Sequence, residues 1–190
     1  MYLFFDTETT GLPFDYEALI DKTDNWPRLV QIAWQIYDEQ KNLIEEEMFI
    51  VQPEGYRIPW EASDVHGITD EIAWQKGTDL ETVLNKFQRA CQLASILVAH
   101  NLNFDEKVLG CEYFRKQLEV PFEKMEKKCT MKSSVRVCKI PRGLDSYKWP
   151  KLIELHEKFF NEGFANAHDA LADVRACARC FWELRKYHFL

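Results

Sequence analysis

Three short clusters of acids and histidines lie far apart in the 190-residue chain: Asp6-Thr7-Glu8, His100 to Asp105, and His168 to Asp173. Their types and spacing suit a hard metal ion. Side chains alternate faces along an extended strand, so Asp6 and Glu8 can turn two carboxylates toward one cation. Mg²⁺ takes oxygen ligands at about 2.0–2.1 Å, and two such ions about 3.5–4 Å apart can clamp an in-line displacement at phosphorus. Asp6, Glu8, Asp105 and Asp173 supply enough carboxylates for two ions. Without a cation, acids gathered this closely would repel one another and hold their protons more tightly. His168 stands five positions before Asp173, a little over one helical turn, so both can face one site if His168 lies just outside a helix start. An imidazole with an ordinary pKa of about 6.5 suits a general base acting on water.

The elements that must position these residues can be read from hydrophobic periodicity. Residues 2–5 form an apolar run that ends at Asp6 and a Thr-Gly-Pro cluster, the pattern of a buried strand whose carboxyl end delivers the acid. Residues 29–37 and 43–51 are strand-like and joined by a polar stretch at 38–42, which predicts an antiparallel hairpin. Leu80, Val83, Leu84, Phe87 and Ala90 fall at helical intervals, and residues 95–99 return to a short buried strand. Further helices are predicted around Phe104 to Phe114, around Leu152 to Phe159, and over 170–186. Helices interleaved with strands after an antiparallel start indicate an α/β three-layer domain with a mixed sheet. The irregular stretch 12–28 is long for a compact domain, and such loops are often functional.

Length and a 46% hydrophobic content fit one domain, residues 1–190, around one core. No stretch reaches the roughly 20 apolar residues of a membrane span, and no basic-then-apolar leader precedes the first strand, so a cytoplasmic protein with no membrane partner is expected. Six scattered cysteines read as free thiols, and the Cys177-Ala-Arg-Cys180 pair as helix packing rather than a metal or redox site. The six tryptophans are spread in a way that favours packing for most of them, with Trp60 and Trp149 the best candidates for exposure. Residues 117–122 faintly resemble a clamp-binding peptide but fall at a predicted helix end. The net charge of −7 opposes a polyanionic partner, yet the charge is unevenly placed. Residues 1–75 hold sixteen acids against four bases, whereas residues 124–151 hold nine Lys/Arg against two acids. A basic run alone is most often a solvated face.

Taken together, Asp6-Thr-Glu8-Thr-Thr-Gly11, His100-Asn101-Leu-Asn-Phe104-Asp105 and His168-Asp-Ala-Leu-Ala-Asp173 resemble the motifs of the DnaQ-like (DEDD) exonuclease superfamily. A histidine five before the final aspartate, with Asp169 where the sister branch carries tyrosine, points to the DEDDh branch, which includes DNA polymerase III epsilon subunits, RNase T and the TREX enzymes. The resemblance implies a ribonuclease H-like α/β/α domain with a mixed five-stranded sheet and two divalent ions, Mg²⁺ or Mn²⁺. Asp6, Glu8 and Asp173 would hold one ion, Asp6 would bridge to the second, Asp105 would position that second ion, and His168 would be the base. It also implies removal of nucleoside 5′-monophosphates from 3′ ends of mainly single-stranded DNA. Thr9, Thr10, Leu12, His66, Asn101 and Phe104 would contact the substrate, His66 within the Val65-His66-Gly67-Ile68-Thr69 segment that also resembles the family. Phe104 reads equally well as a core residue. DNA polymerase III subunits are the partners it suggests. The alternatives are RNA 3′-end trimming, a non-catalytic nucleic-acid-binding or polymerase accessory subunit, and an internal cutter of the ribonuclease H-like type.

Overall fold

A computed structural model describes residues 1–144 and 146–189. Five strands form one sheet in the order β3-β2-β1-β4-β5: β1 (Tyr2–Thr9), β2 (Leu29–Tyr37), β3 (Leu43–Ile50), β4 (Ile96–Ala99) and β5 (Glu126–Cys129). β1 is antiparallel to β2 and β2 to β3, whereas β4 runs parallel to β1 and β5 parallel to β4. The sheet is mixed, with its parallel half at β1, β4 and β5.

Alternation along β1 separates the two outer layers. Leu3 and Phe5 pack with Leu84 and Phe87 of α3 (Leu80–Leu93) and with Val108 and Leu109 of α4 (Leu102–Arg115). Tyr2 and Phe4 face the other way, against Val174, Cys177, Ala178 and Phe181 of α8 (Ala170–Lys186). α8 has the span expected from the sequence, with Asp169 as N-cap accepting the Ala172 amide at 3.1 Å. α7 (Leu152–Phe160) packs on α8 through Leu155, Cys180 and Leu184.

Several elements escape periodicity. β5 reads Glu-Lys-Lys-Cys, a charged edge strand with no apolar alternation. α1 (Trp60–His66) and α2 (Asp70–Lys76) are each seven residues long, and α5 (Thr130–Ser133) and α6 (Val135–Cys138) four. Such lengths hold too few turns for a periodic stripe. Among the tryptophans, Trp26 and Trp34 are buried, but Trp60, Trp74 and Trp149 are all exposed, so packing claims fewer of them than expected. Phe122 is buried beside Tyr113 and Phe87, which removes residues 117–122 as a clamp-binding peptide. All six cysteines are free thiols. Among the described residues no helix is long and apolar enough to cross a membrane.

Candidate active site

Because β1, β4 and β5 are parallel, their carboxyl ends share one sheet edge, and the three sequence clusters meet there. Asp6 and Glu8 continue the Tyr2 and Phe4 face, so both point toward the α8 layer. The β1–β2 register shifts between Glu8 and Thr9, an irregularity of the kind that ends pairing beside functional sites. Asp173 projects from the first turn of α8. His168 precedes that helix in the left-handed region (φ 70°), and its backbone N–H donates to Asp173 Oδ2 at 2.8 Å. Ligand atoms of Glu8, His168 and Asp173 all lie within 4.8 Å of one another. Asp6 and Asp105 stand outside that tight group but close enough to repel its members.

Asp105 reaches the edge from the opposite layer, in the first turn of α4. β4 pairs with β1 only as far as Phe4, which leaves the later β1 amides open on that side. The Thr7 amide (3.2 Å) and hydroxyl (2.7 Å) both donate to Asp105 Oδ1. Gln31 on β2 has a parallel task at α8: its Oε1 accepts the Ala170 amide at 3.0 Å and its Nε2 donates to Asp169 at 3.4 Å. Thr7 and Gln31 are the positioning residues that sequence reading missed. Both are buried polar residues inside strands, a weak signal that acquires meaning only from partners 98 and 139 residues away.

The electrostatics are one-sided. Burial, reinforced by Asp105, Asp173, Glu8 and Asp169, raises Asp6 well above the ordinary carboxylate range. Burial and the charges of Asp173, Asp105 and Asp169 push Glu8 up to about 8. Asp105 is raised by burial to about 7 even though both Thr7 hydrogen bonds oppose the shift. Asp173 is raised by burial to about 6, with the His168 amide opposing it. Acids gathered this closely and raised by burial and one another are a donor set that suits a divalent cation.

The remaining candidates divide by availability. Leu12 is 72% exposed beyond the end of β1. The Thr9 and Thr10 hydroxyls are engaged locally: Thr9 Oγ1 donates to the Gly11 carbonyl at 2.7 Å, and Thr10 Oγ1 accepts the Arg28 amide at 2.9 Å. Asn101 starts α4 in the left-handed region (φ 70°) without a side-chain cap. Phe104 is partly buried against the core and has Tyr16 beside it at 6.5 Å between ring centres. His66 lies within electrostatic reach of His168. Its Nδ1 accepts the Ile68 amide at 3.1 Å, whereas Nε2 is buried with no hydrogen-bond partner among the described residues. Burial lowers its pKa; the neighbouring Thr9 backbone acts the other way and His168 adds to the lowering.

A mixed five-stranded sheet between helical layers, with four carboxylates and a histidine at the edge of its parallel half, is a ribonuclease H-like fold that carries a candidate metal centre. The chain belongs to the RNase T exonuclease family, whose model matches residues 3–181. It is similar to the DNA polymerase III PolC-type of Streptococcus sanguinis, 37% identical over 114 residues, 60% of this chain and 7% of the polymerase. The corresponding protein of Lactococcus lactis subsp. lactis is 35% identical over 119 residues, 63% of this chain and 6% of that protein. Among solved structures, E. coli exonuclease I in complex with a dT13 oligonucleotide superposes with a TM-score of 0.77 at 21% identity. That match covers 99% of this chain and 42% of exonuclease I.

Proposed function

We propose that residues 1–190 form one exonuclease domain that removes nucleoside 5′-monophosphates from the 3′ ends of single-stranded nucleic acid. The observation that carries this reading is the set of four penalised carboxylates beside His168 at one sheet edge. Asp6, Glu8 and Asp173 would hold one divalent ion, and Asp6 with Asp105 a second. When bound, the two ions, Mg²⁺ or Mn²⁺, supply Lewis-acid stabilisation of the attacking and departing oxygens.

The chain's own groups do the rest. The exposed His168 imidazole, beside Glu8 and Asp173, takes the proton of the attacking water. Anchoring of the His168 amide on Asp173 fixes where that imidazole stands. With His66 Nδ1 accepting the Ile68 amide, the neutral ring carries its hydrogen on Nε2, turned toward the Thr9 backbone, and the ring would line the sugar of the terminal nucleotide. The exposed Leu12 would meet the terminal base, with Phe104 and Asn101 behind it, while Thr9 and Thr10 shape the turn through their hydroxyls.

DNA is the first substrate to test, since an exonuclease I structure carries dT13, and the PolC-type polymerases make proofreading beside DNA polymerase III subunits the first setting. Free thiols fit a cytoplasmic location. The test is a time course on 3′-labelled single-stranded DNA, matched RNA, a mismatched primer duplex and a circular strand, with and without Mg²⁺. Mononucleotide release from linear ends, requiring metal and sparing the circle, is expected. Cleavage of the circle, or no release from any linear strand, would overturn the reading.

A further inference from the structure

The basic stretch of the sequence leaves the sheet at the same edge as the acidic centre. β5 ends at Cys129 on the same sheet edge as the carboxylates, so the chain after it begins beside the site. It is fastened there at both ends by one residue. His100 Nδ1 meets Thr130 Oγ1 at 2.9 Å and His100 Nε2 meets the Pro150 carbonyl at 3.0 Å.

Between these anchors, α5, Ser134 in right-handed helical conformation, and α6 make a nearly continuous helical stretch that Lys139 ends in the left-handed region. Lys132, Arg136 and Lys139 fall at i, i+4 and i+7, on one face, and all three are exposed. None has a carboxylate partner among the described residues. Lys127 and Lys128 differ, being paired with Glu106 at 2.5 Å and Glu126 at 2.8 Å. Lys132 also lines a cavity of about 360 Å³ with Leu102 and Asn103, at the start of the helix that carries Asp105. Trp149, next to the Pro150 anchor, is 62% exposed. The other segment leaving the site, residues 12–28, carries Asp15, Glu17, Asp21 and Asp24 against Lys22 and Arg28, and would repel a phosphate chain.

We propose that the described residues 130–144 and 146–149 are the track for the single strand on the 5′ side of the scissile phosphate, with Lys132, Arg136 and Lys139 contacting successive phosphates and Trp149 stacking a base. Unpaired cations interleaved with an exposed aromatic are what a single strand requires, whatever its sugar. The direction of the strand rests on the nuclease reading; its binding to this face does not.

Fluorescence anisotropy of labelled DNA and RNA strands of about twelve nucleotides, in EDTA and across a salt series, reads the track without hydrolysis. Turnover of the p-nitrophenyl ester of thymidine 5′-monophosphate with Mg²⁺ reads the centre without the track. The combined variant Lys132→Glu, Arg136→Glu and Lys139→Glu should bind at least about tenfold more weakly, with a salt slope flatter by about 2. Trp149→Ala should lose roughly 5- to 100-fold in affinity. Both variants should turn over the ester as wild type does, which also shows that they are folded. Weaker binding of DNA alone would restrict the track to DNA, and of RNA alone to RNA. If the variants bind both strands as tightly as wild type with an unchanged slope, the track is overturned and the nuclease reading stands. If wild type loses strand affinity on triple substitution but neither ester nor strand is ever hydrolysed, the nuclease reading falls and the track stands.

Discussion

The protein buries carboxylates in two places and treats them in opposite ways. Glu112 on α4 is fully buried; its Oε1 accepts from Arg28 Nε at 2.9 Å and the Leu29 amide at 3.0 Å, and Arg115 is ion-paired to it at 3.0 Å. Arg115 reaches on to the carbonyls of Thr23, Trp26 and Pro27, so this cluster secures the end of the 12–28 loop. Asp105 accepts the Thr7 amide and hydroxyl and Asp173 the His168 amide, but among the described residues no side-chain cation pairs with Asp6, Glu8, Asp105 or Asp173, and each is held above the ordinary carboxylate range. A buried carboxylate matched by cations inside the chain is architecture; one left unmatched is a place for a cation from outside.

That contrast breaks first at the unmatched acids. Asp173→Ala should lower mononucleotide release by about 10³-fold or more, since a catalytic ion supplies several kcal/mol and each 1.4 kcal/mol is a decade. Its thermal stability should stay level or rise, because a like charge has gone. Activity within tenfold of wild type would remove Asp173 from the metal set. His168→Ala should keep metal affinity and lose at least about 10²-fold in kcat, read from steady-state kinetics alongside metal titration. A fall in metal affinity instead would make His168 a ligand, a role its place within 4.8 Å of Glu8 and Asp173 also allows.

At the matched acid the expectation reverses. Glu112→Ala should cost about 2 to 3 kcal/mol in chemical denaturation, toward the lower end because the Arg28 and Arg115 side chains are 22% and 16% exposed. Activity per folded molecule should be kept. Thr7→Val sits between the two regions. It withdraws the hydroxyl from Asp105 and should reduce activity about 10- to 100-fold at limiting metal, with recovery as metal is raised. Loss that metal does not rescue would make Thr7 a purely structural residue.

The smallest effect is in pH dependence. Carboxylates whose folded pKa is raised bind more protons folded than unfolded, so the metal-free protein is most stable below about pH 4 with respect to these groups. That stability declines as pH climbs through the raised values of about 6, 7 and 8 for Asp173, Asp105 and Glu8. In EDTA, Tm should fall by some degrees between pH 5 and 8, and Mn²⁺ should restore it more at pH 8 than at pH 5. An equal metal effect at both pH values would deny the penalty.

Much of this contrast is legible in the chain before folding. β1, β2, β4, α3, α4, α7 and α8 announce themselves through their apolar residues, and β3 through its apolar ends, Leu43-Ile44 and Met48-Phe49-Ile50, although most of these stay at least partly exposed. The site motifs are legible because Asp6 and Glu8, or His168 and Asp173, share one element or its threshold, where local spacing decides direction. β5 stays hidden because Glu126, Lys127 and Lys128 satisfy an edge strand without alternation. Thr7 and Gln31 stay hidden because their partners, Asp105 and Ala170, are close only after the layers close. The exposure of Trp74 is set by the short α2 to which it belongs, an element with no periodic face.

The most direct measurement is calorimetric titration of Mn²⁺ into wild type and Asp6→Ala near pH 6.5, repeated in buffers of different ionisation enthalpy. Wild type should bind two ions per chain and release protons as the raised carboxylates ionise, and Asp6→Ala should lose at least one ion and part of that release. Identical stoichiometry and proton release in the two proteins, or no binding in either, would contradict the claim that these acids are left unmatched for a metal.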